Sequence, residues 1–397
     1  MQKCLIQYFF IKLEGLAIMN KRVEEIQISG IRKFYNKVLE VPGAISLTIG
    51  EPDVPVPYEV KVAMQEAISN DLTKYTPNMG MKELRMQLEV YLKGNGINYG
   101  WEEICITVGG SEGLFAVFGA LLNEGDKVVI PTPAYPAYES VVKIVGGQIL
   151  ECPLNEDFTL NIEKLTNIIY EEKPKVLVLS YPSNPTGAIL SKENQTALWH
   201  LAEENEVIIV TDEMYSSLVF EEYYSIAQNK RIKDKVIVVG GFSKMFSMTG
   251  LRVGYVCAVD KYMKQILKLH QYAVSCAPSI AQYGAYIGLQ KCMDDVESFK
   301  KSLILRRDYV YRRLKEMDFE VVLPKGAFYI FPNIKKFGMK SEDFCERMLN
   351  EAKVAAVPGT AFGKAGEGYM RISYCIDMEK LKKSMDLMEH WINKMQM

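Results

Sequence analysis

An alternation of short apolar runs with helical patterns constrains this chain more than any other feature. Six runs bounded by turn residues read as buried strands: Ile104 to Val108, Lys127 to Ile130, Val176 to Tyr181, Val207 to Thr211, Val236 to Val239 and Val253 to Val259. Apolar residues at helical spacing fill several of the gaps, as in Leu114 to Leu122 and Lys192 to Asn205, the second opened by Ser191 as a cap. Strands alternating with helices over such a length predict an α/β fold whose mostly parallel central sheet is covered by helices on both faces. From Val296 to Met317 a long helix with one wet face is expected to bridge two domains. Strand candidates follow at Glu320 to Leu323, Ala327 to Phe331 and Met370 to Tyr374, and a last helix near Met378 to Met395, the pattern of a smaller α+β domain. The expected division is an N-terminal segment, 1–49, joining the small domain, a large domain over 50–290 and a small C-terminal domain over 291–397.

Composition narrows the function classes. With 47 Lys+Arg against 49 Asp+Glu the net charge is −2, which argues against a nucleic-acid binder acting through bulk positive charge. No apolar run reaches the roughly 18 residues that a membrane span requires. The eight cysteines are dispersed without a CxxC pair, so a reduced compartment, the cytoplasm, is expected rather than a zinc site or a disulfide scaffold. His200, His270 and His390 show no metal-ligand spacing and read as surface or packing residues; no metal is expected. The apolar start is broken by Lys3, Lys12 and Glu14, unlike a signal peptide, and Met19-Asn20-Lys21 resembles a more usual beginning, which makes residues 1–18 an upstream extension.

Polar groups cluster just after the predicted strands, where ligands of open α/β sheets bind. The first strand runs into Gly109-Gly110-Ser111-Glu112-Gly113 and a helix, a candidate anion cradle that is also what an ordinary tight turn looks like. Neither a GxxxxGK[ST] loop nor a GxGxxG fingerprint occurs. Three further strands lead to Asn184, Asp212 and Lys244. Singly these are a turn former, a cap and a solvated cation. Together they describe an electron-sink site, because a lysine amine condenses with an aldehyde cofactor and a carboxylate keeps a pyridine nitrogen protonated.

The segments Ser180 to Gly187 (SYPSNPTG), Thr211 to Tyr215 (TDEMY) and Ser243 to Tyr255 (SKMFSMTGLRVGY) resemble the signatures of class I/II aminotransferases, pyridoxal-phosphate enzymes of fold type I, and the similarity extends from about Ser29 to the C-terminus. The resemblance implies pyridoxal 5'-phosphate as cofactor, with Lys244 as the lysine that binds it covalently and shuttles the substrate proton, and Asp212 as partner of the pyridinium nitrogen. Tyr215 and Asn184 match residues that hydrogen-bond the ring oxygen O3′, and Tyr135 matches an aromatic stacked on the ring. Phosphate binding is implied for Gly110, Ser111, Ser243 and Arg252. Tyr75 matches a tyrosine that reaches the neighbouring subunit's phosphate, which implies a homodimer with composite sites. Arg371 matches the clamp on the substrate α-carboxylate, and Gly50 a backbone that approaches it.

What the resemblance implies is amino transfer from an L-amino acid to a 2-oxo acid, 2-oxoglutarate foremost, by a ping-pong sequence involving only small-molecule partners. A lyase or cyclising enzyme of the same fold would share Lys244, Asp212 and Arg371, and a regulatory homologue would keep the fold alone. The subgroup that this chain most resembles often has a lysine after Gly-Gly to pair with a substrate's distal carboxylate. Here that position is Ser111. Acidic, aromatic, broad and N-acetyl-diaminopimelate-type donors therefore stay open.

Overall fold

The computed structural model describes residues 19–396. The extension read at 1–18, and Cys4 within it, lie outside the described residues. In chain order the strands are β1 Ile45–Ser46, β2 Ile104–Thr107, β3 Lys127–Thr132, β4 Gln148–Pro153, β5 Val176–Ser180, β6 Ile208–Asp212, β7 Val236–Gly241, β8 Gly254–Cys257, β9 Tyr329–Ile330, β10 Val354–Ala355, β11 Val357–Pro358 and β12 Met370–Ser373. Seven of them form the central sheet in the order β2-β8-β7-β6-β5-β3-β4. Its ladders are parallel except the two made by β8, which runs against both β2 and β7.

The sheet is covered on both faces because its strands are apolar on both. Val176, Val178, Val210, Ile237 and Val239 pack into one cluster with Leu114, Val117 and Phe118 of the helix Gly109–Leu121 and Met263 and Ile266 of the helix Asp260–Val274. Their neighbours Leu177, Leu179, Ile209, Val236 and Val238 point the other way, against Val60, Leu84, Leu88 and Leu198 from helices on the opposite side. Truncating one of these fully buried leucines, such as Leu179, to Ala is expected to cost about 2–5 kcal/mol.

All six predicted central strands are present with ends shifted by one or two residues. β4 was not among them: an edge strand, it leaves Gln148, Glu151 and Pro153 exposed and lacks a continuous apolar run. The helix expected from Leu114 opens earlier, at Gly109, so that Gly-Gly-Ser-Glu is its first turn. Ser191 caps its helix as expected, accepting from the Asn194 N–H at 3.1 Å.

A second core gathers Phe34, Val38 and Leu47 with Phe299, Leu303, Val310 and Leu314 of the helix Met293–Glu316 and Leu381, Met385, Met388 and Trp391 of the helix Met378–Gln396. Within it β12 lies between β11 and β9, antiparallel to each, and β1 pairs parallel with β10. The expected strand Glu320 to Leu323 is a correction: it contributes only an isolated bridge from Glu320 to Asn333. Pro324, without an N–H, follows it and cannot extend a ladder. No helix among the described residues is long and apolar enough to cross a membrane, and the seven described cysteines are unpaired.

Candidate active site

One cavity of about 710 Å³ opens at the C-terminal ends of β5, β6 and β7. Eleven of the twelve residues singled out from the sequence line it: Gly50, Gly110, Ser111, Tyr135, Asn184, Asp212, Tyr215, Ser243, Lys244, Arg252 and Arg371. Tyr75 does not, and it is 89% exposed.

The cavity is built from strand ends. Asp212 is the last residue of β6, and β7 ends at Gly240-Gly241, leading directly to Ser243 and Lys244. Small residues are required here. A Cβ on Gly254 of β8 would stand 2.7 Å from the Gly109 carbonyl carbon, 2.8 Å from the Gly110 nitrogen and 2.9 Å from the Gly240 carbonyl oxygen, so three backbones meet without side chains between them. Gly109, at φ +72°, turns the chain into the helix Gly109–Leu121. A Cβ on it would come within 2.6 Å of Arg252 Nη2, which puts the guanidinium directly against this turn. Arg252 itself has a left-handed backbone, φ 54°, and its Nη1 donates to the Thr249 carbonyl at 2.8 Å. Exposed N–H groups at a helix start, a buried Ser243 hydroxyl and a permanently charged guanidinium make a cradle suited to a dianion.

Lys244 Nζ donates to the Gly50 carbonyl at 2.6 Å. Burial pushes its amine down to about 8, and the positive charges of Arg252 and Arg371 act the same way, against the opposing pull of Glu51. An amine so placed is partly neutral, hence nucleophilic, near neutral pH. Asp212 accepts from the Tyr138 hydroxyl at 2.7 Å and the Met214 N–H at 3.0 Å. Burial raises its carboxyl, while those two hydrogen bonds and the Lys244 charge hold it down.

Arg371, on β12, is 1% exposed. Its Nη1 donates to Asn184 Oδ1 at 2.9 Å and its Nη2 to the Thr48 carbonyl at 2.5 Å, and its charge lies 4.4 Å from the Tyr329 ring centroid. Its Nε is buried without a partner. Arg371 lines the cavity as a permanent cation, and its planar guanidinium suits a carboxylate. The hydroxyls of Tyr215 and Tyr329 lie 2.7 Å apart, and Tyr135 meets Tyr138 edge-on with centroids 5.6 Å apart. Asn184 and Tyr215, expected to face a ring oxygen, here engage Arg371 and Tyr329.

Three residues of the site were missed in the sequence: Tyr138, Tyr329 and Thr48. Tyr138 stands three positions after Tyr135 on the first turn of the helix Ala137–Ile144, a spacing that can be read. Tyr329 and Thr48 carry no such signal, since they arrive through pairing of distant segments.

The family model for aminotransferase class I and II matches residues 42–386. A protein of Bacillus subtilis (strain 168) described as a probable N-acetyl-LL-diaminopimelate aminotransferase is 43% identical over 384 residues, covering 95% of this chain and 96% of its own. The aspartate aminotransferase of Pyrococcus abyssi is 40% identical over 379 residues, 94% of this chain and 97% of that one. Among solved structures, the aromatic aminotransferase from Pyrococcus horikoshii OT3 superimposes with a TM-score of 0.87 at 39% identity, over 91% of this chain and 99% of that one. Family model, relatives and fold agree with what the strand ends assemble, and the chain belongs to the class I and II aminotransferases.

Proposed function

We propose that this aminotransferase works with pyridoxal 5'-phosphate held by Lys244, moving the amino group of an L-amino acid to 2-oxoglutarate. The observation that carries the reading is the sharing of one cavity by a partly neutral Lys244 amine, a buried Asp212 carboxylate and an Arg371 whose buried Nε has no partner. The residues present fit the cofactor. The glycine-built turn at Gly109 and Gly110, with Ser243 and Arg252, suits its phosphate, and Asp212 suits its ring nitrogen. When bound, pyridoxal 5'-phosphate supplies an electron-poor ring that takes up electrons from the substrate's Cα bond.

The protein's own residues do the rest. Asp212, ionised, holds a proton on the ring nitrogen. Arg371 clamps the α-carboxylate, with Asn184 and the Thr48 carbonyl fixing the guanidinium plane. Lys244 would hold the cofactor's aldehyde carbon and, as a free amine, would take the proton from the substrate Cα, a role its reduced basicity suits. Tyr215 tunes the site through its hydroxyl, and Tyr135 covers the ring.

Donor choice is proposed as broad over acidic, aromatic and diaminopimelate-type amino acids. Ser111 supplies no cation for a distal carboxylate, and the relatives named above span those three classes. The exposed Tyr75 supports a homodimer in which it serves the partner's site. The joint core of Phe34, Val38 and Leu47 with the C-terminal helices supports counting 1–49 with 291–397 as the small domain and 50–290 as the large one. Unpaired cysteines support a cytoplasmic, reduced location. A panel of amino donors with 2-oxoglutarate tests the reading: glutamate should form with some of them in step with the matching 2-oxo acid. Ammonia or a cyclised product instead, or no reaction with any donor, would refute it.

A further inference from the structure

His270, in the helix Asp260–Val274, is fully buried. Its Nδ1 lies 3.1 and 3.2 Å from the two carboxylate oxygens of Glu112, and its Nε2 lies 2.9 Å from the Asn78 carbonyl oxygen. The ring thus bridges a side-chain carboxyl group on one side and a backbone carbonyl on the other. Glu112 is in the first turn of the helix that opens at Gly109, and its Oε2 also accepts from the Val108 N–H at 3.0 Å, immediately before that opening. One imidazole ring therefore ties the start of the cradle to Asn78.

Asn78 belongs to the segment that carries the exposed Tyr75, and this segment is held from several sides. Asn78 Nδ2 donates to the Ser275 carbonyl at 2.7 Å, and the Met79 carbonyl accepts from the Ile106 N–H at 3.0 Å. The buried Gln282 donates to Thr76 Oγ1 at 3.1 Å and accepts from the Met81 N–H at 2.7 Å. The arm is thus fixed to the same β2 strand and helix start as the cradle.

Packing alone would be served by a phenylalanine. A polar ring with both nitrogens partnered, wholly removed from water, costs more to bury than an apolar one and persists where its orientation matters. Orientation matters here because Glu112 stands in the first turn of the helix whose start faces the anion site, and His270 holds its carboxyl group.

We propose that His270 and Glu112 are positioning residues that hold the Gly109–Ser111 cradle and the Tyr75 arm as one unit, so that the site retains a phosphorylated cofactor. The inference rests on the assignment of Gly110 and Ser111 as the phosphate site. Neither residue touches the reacting atoms.

The test compares binding of pyridoxal 5'-phosphate and of phosphate-free pyridoxal to the full-length apoprotein, followed by absorbance and by quenching of tryptophan fluorescence. His270→Phe should weaken pyridoxal 5'-phosphate by about tenfold or more and pyridoxal by less than about twofold. Adding Glu112→Gln to that variant, which removes the carboxyl group left without its partner, should recover part of the loss. His270→Gln, milder for folding, cannot bridge Glu112 and Asn78 as the ring does and should show the same selective loss. Equal weakening of both ligands, or undiminished retention of pyridoxal 5'-phosphate, would overturn the inference while leaving the cradle assignment in place. A wild-type protein indifferent to the phosphate would overturn the cradle assignment and the inference with it.

Discussion

The hydroxyl of Tyr138 donates to Oδ2 of Asp212 at 2.7 Å, with both side chains buried. Because burial raises the Asp212 carboxyl and this bond is the largest influence opposing it, Tyr138→Phe should raise it further. The ionised form would then be reached only at higher pH. The expected outcome is a loss of about tenfold in kcat at pH 7 that shrinks as pH rises, with the acid limb of the kcat profile moved upward. An unshifted limb would remove Tyr138 from the account.

The Lys244 amine, pushed down to about 8 by burial, predicts how the apoprotein captures an aldehyde. Only the neutral amine attacks, so the rate of pyridoxal 5'-phosphate attachment should rise with pH up to about 8 and then level off. Glu51 holds the amine up by its charge, so Glu51→Gln should move that rise to lower pH. Stopped-flow absorbance across pH reads both, and a shift toward higher pH would contradict the assigned influence of Glu51.

Strand ends made much of this site legible. Asp212 and Lys244 end or follow β6 and β7, whose continuous apolar runs announce themselves, and the chemistry-bearing residue is next in sequence to the signal. β4 was silent because an edge strand need not be apolar on both faces. Thr48 was silent for a different reason: it is 323 positions from Arg371 and meets it only because the chain after β1 runs beside β12, the Ser373 N–H donating to the Leu47 carbonyl at 2.8 Å. His270 read as a surface or packing residue, because only the fold brings Glu112 and Asn78 to its two nitrogens.

Arg371→Lys should weaken donor and acceptor together, by about 10- to 100-fold in KM, because a point charge cannot make two parallel hydrogen bonds and leaves Asn184 or Thr48 short of a donor. Amines lacking a carboxylate should be nearly indifferent. Comparing steady-state kinetics for an amino acid and its decarboxylated amine separates the two, and equal losses for both would place the α-carboxylate elsewhere.

Tyr75, solvent-facing in the single chain, predicts complementation. Mixing Lys244→Ala protomers with impaired Tyr75→Phe protomers should produce some hybrid dimers with one unmutated site, so activity after subunit exchange should exceed the sum of the parents. Strict additivity, with exchange verified independently, would confine Tyr75 to its own subunit or remove it from the site.

The most direct test of the central claim, amino transfer through Lys244, is the occupancy of that lysine after borohydride reduction, read by peptide mass mapping at three stages. With pyridoxal 5'-phosphate alone, the reduced cofactor should be found on Lys244. After a stoichiometric amino donor it should be absent from Lys244, because transfer leaves the cofactor carrying the amine, and addition of a 2-oxo acid should restore it. A lyase would return Lys244 to its occupied state without any acceptor. Cofactor on a different lysine, or an occupancy of Lys244 that no donor clears, would contradict the account.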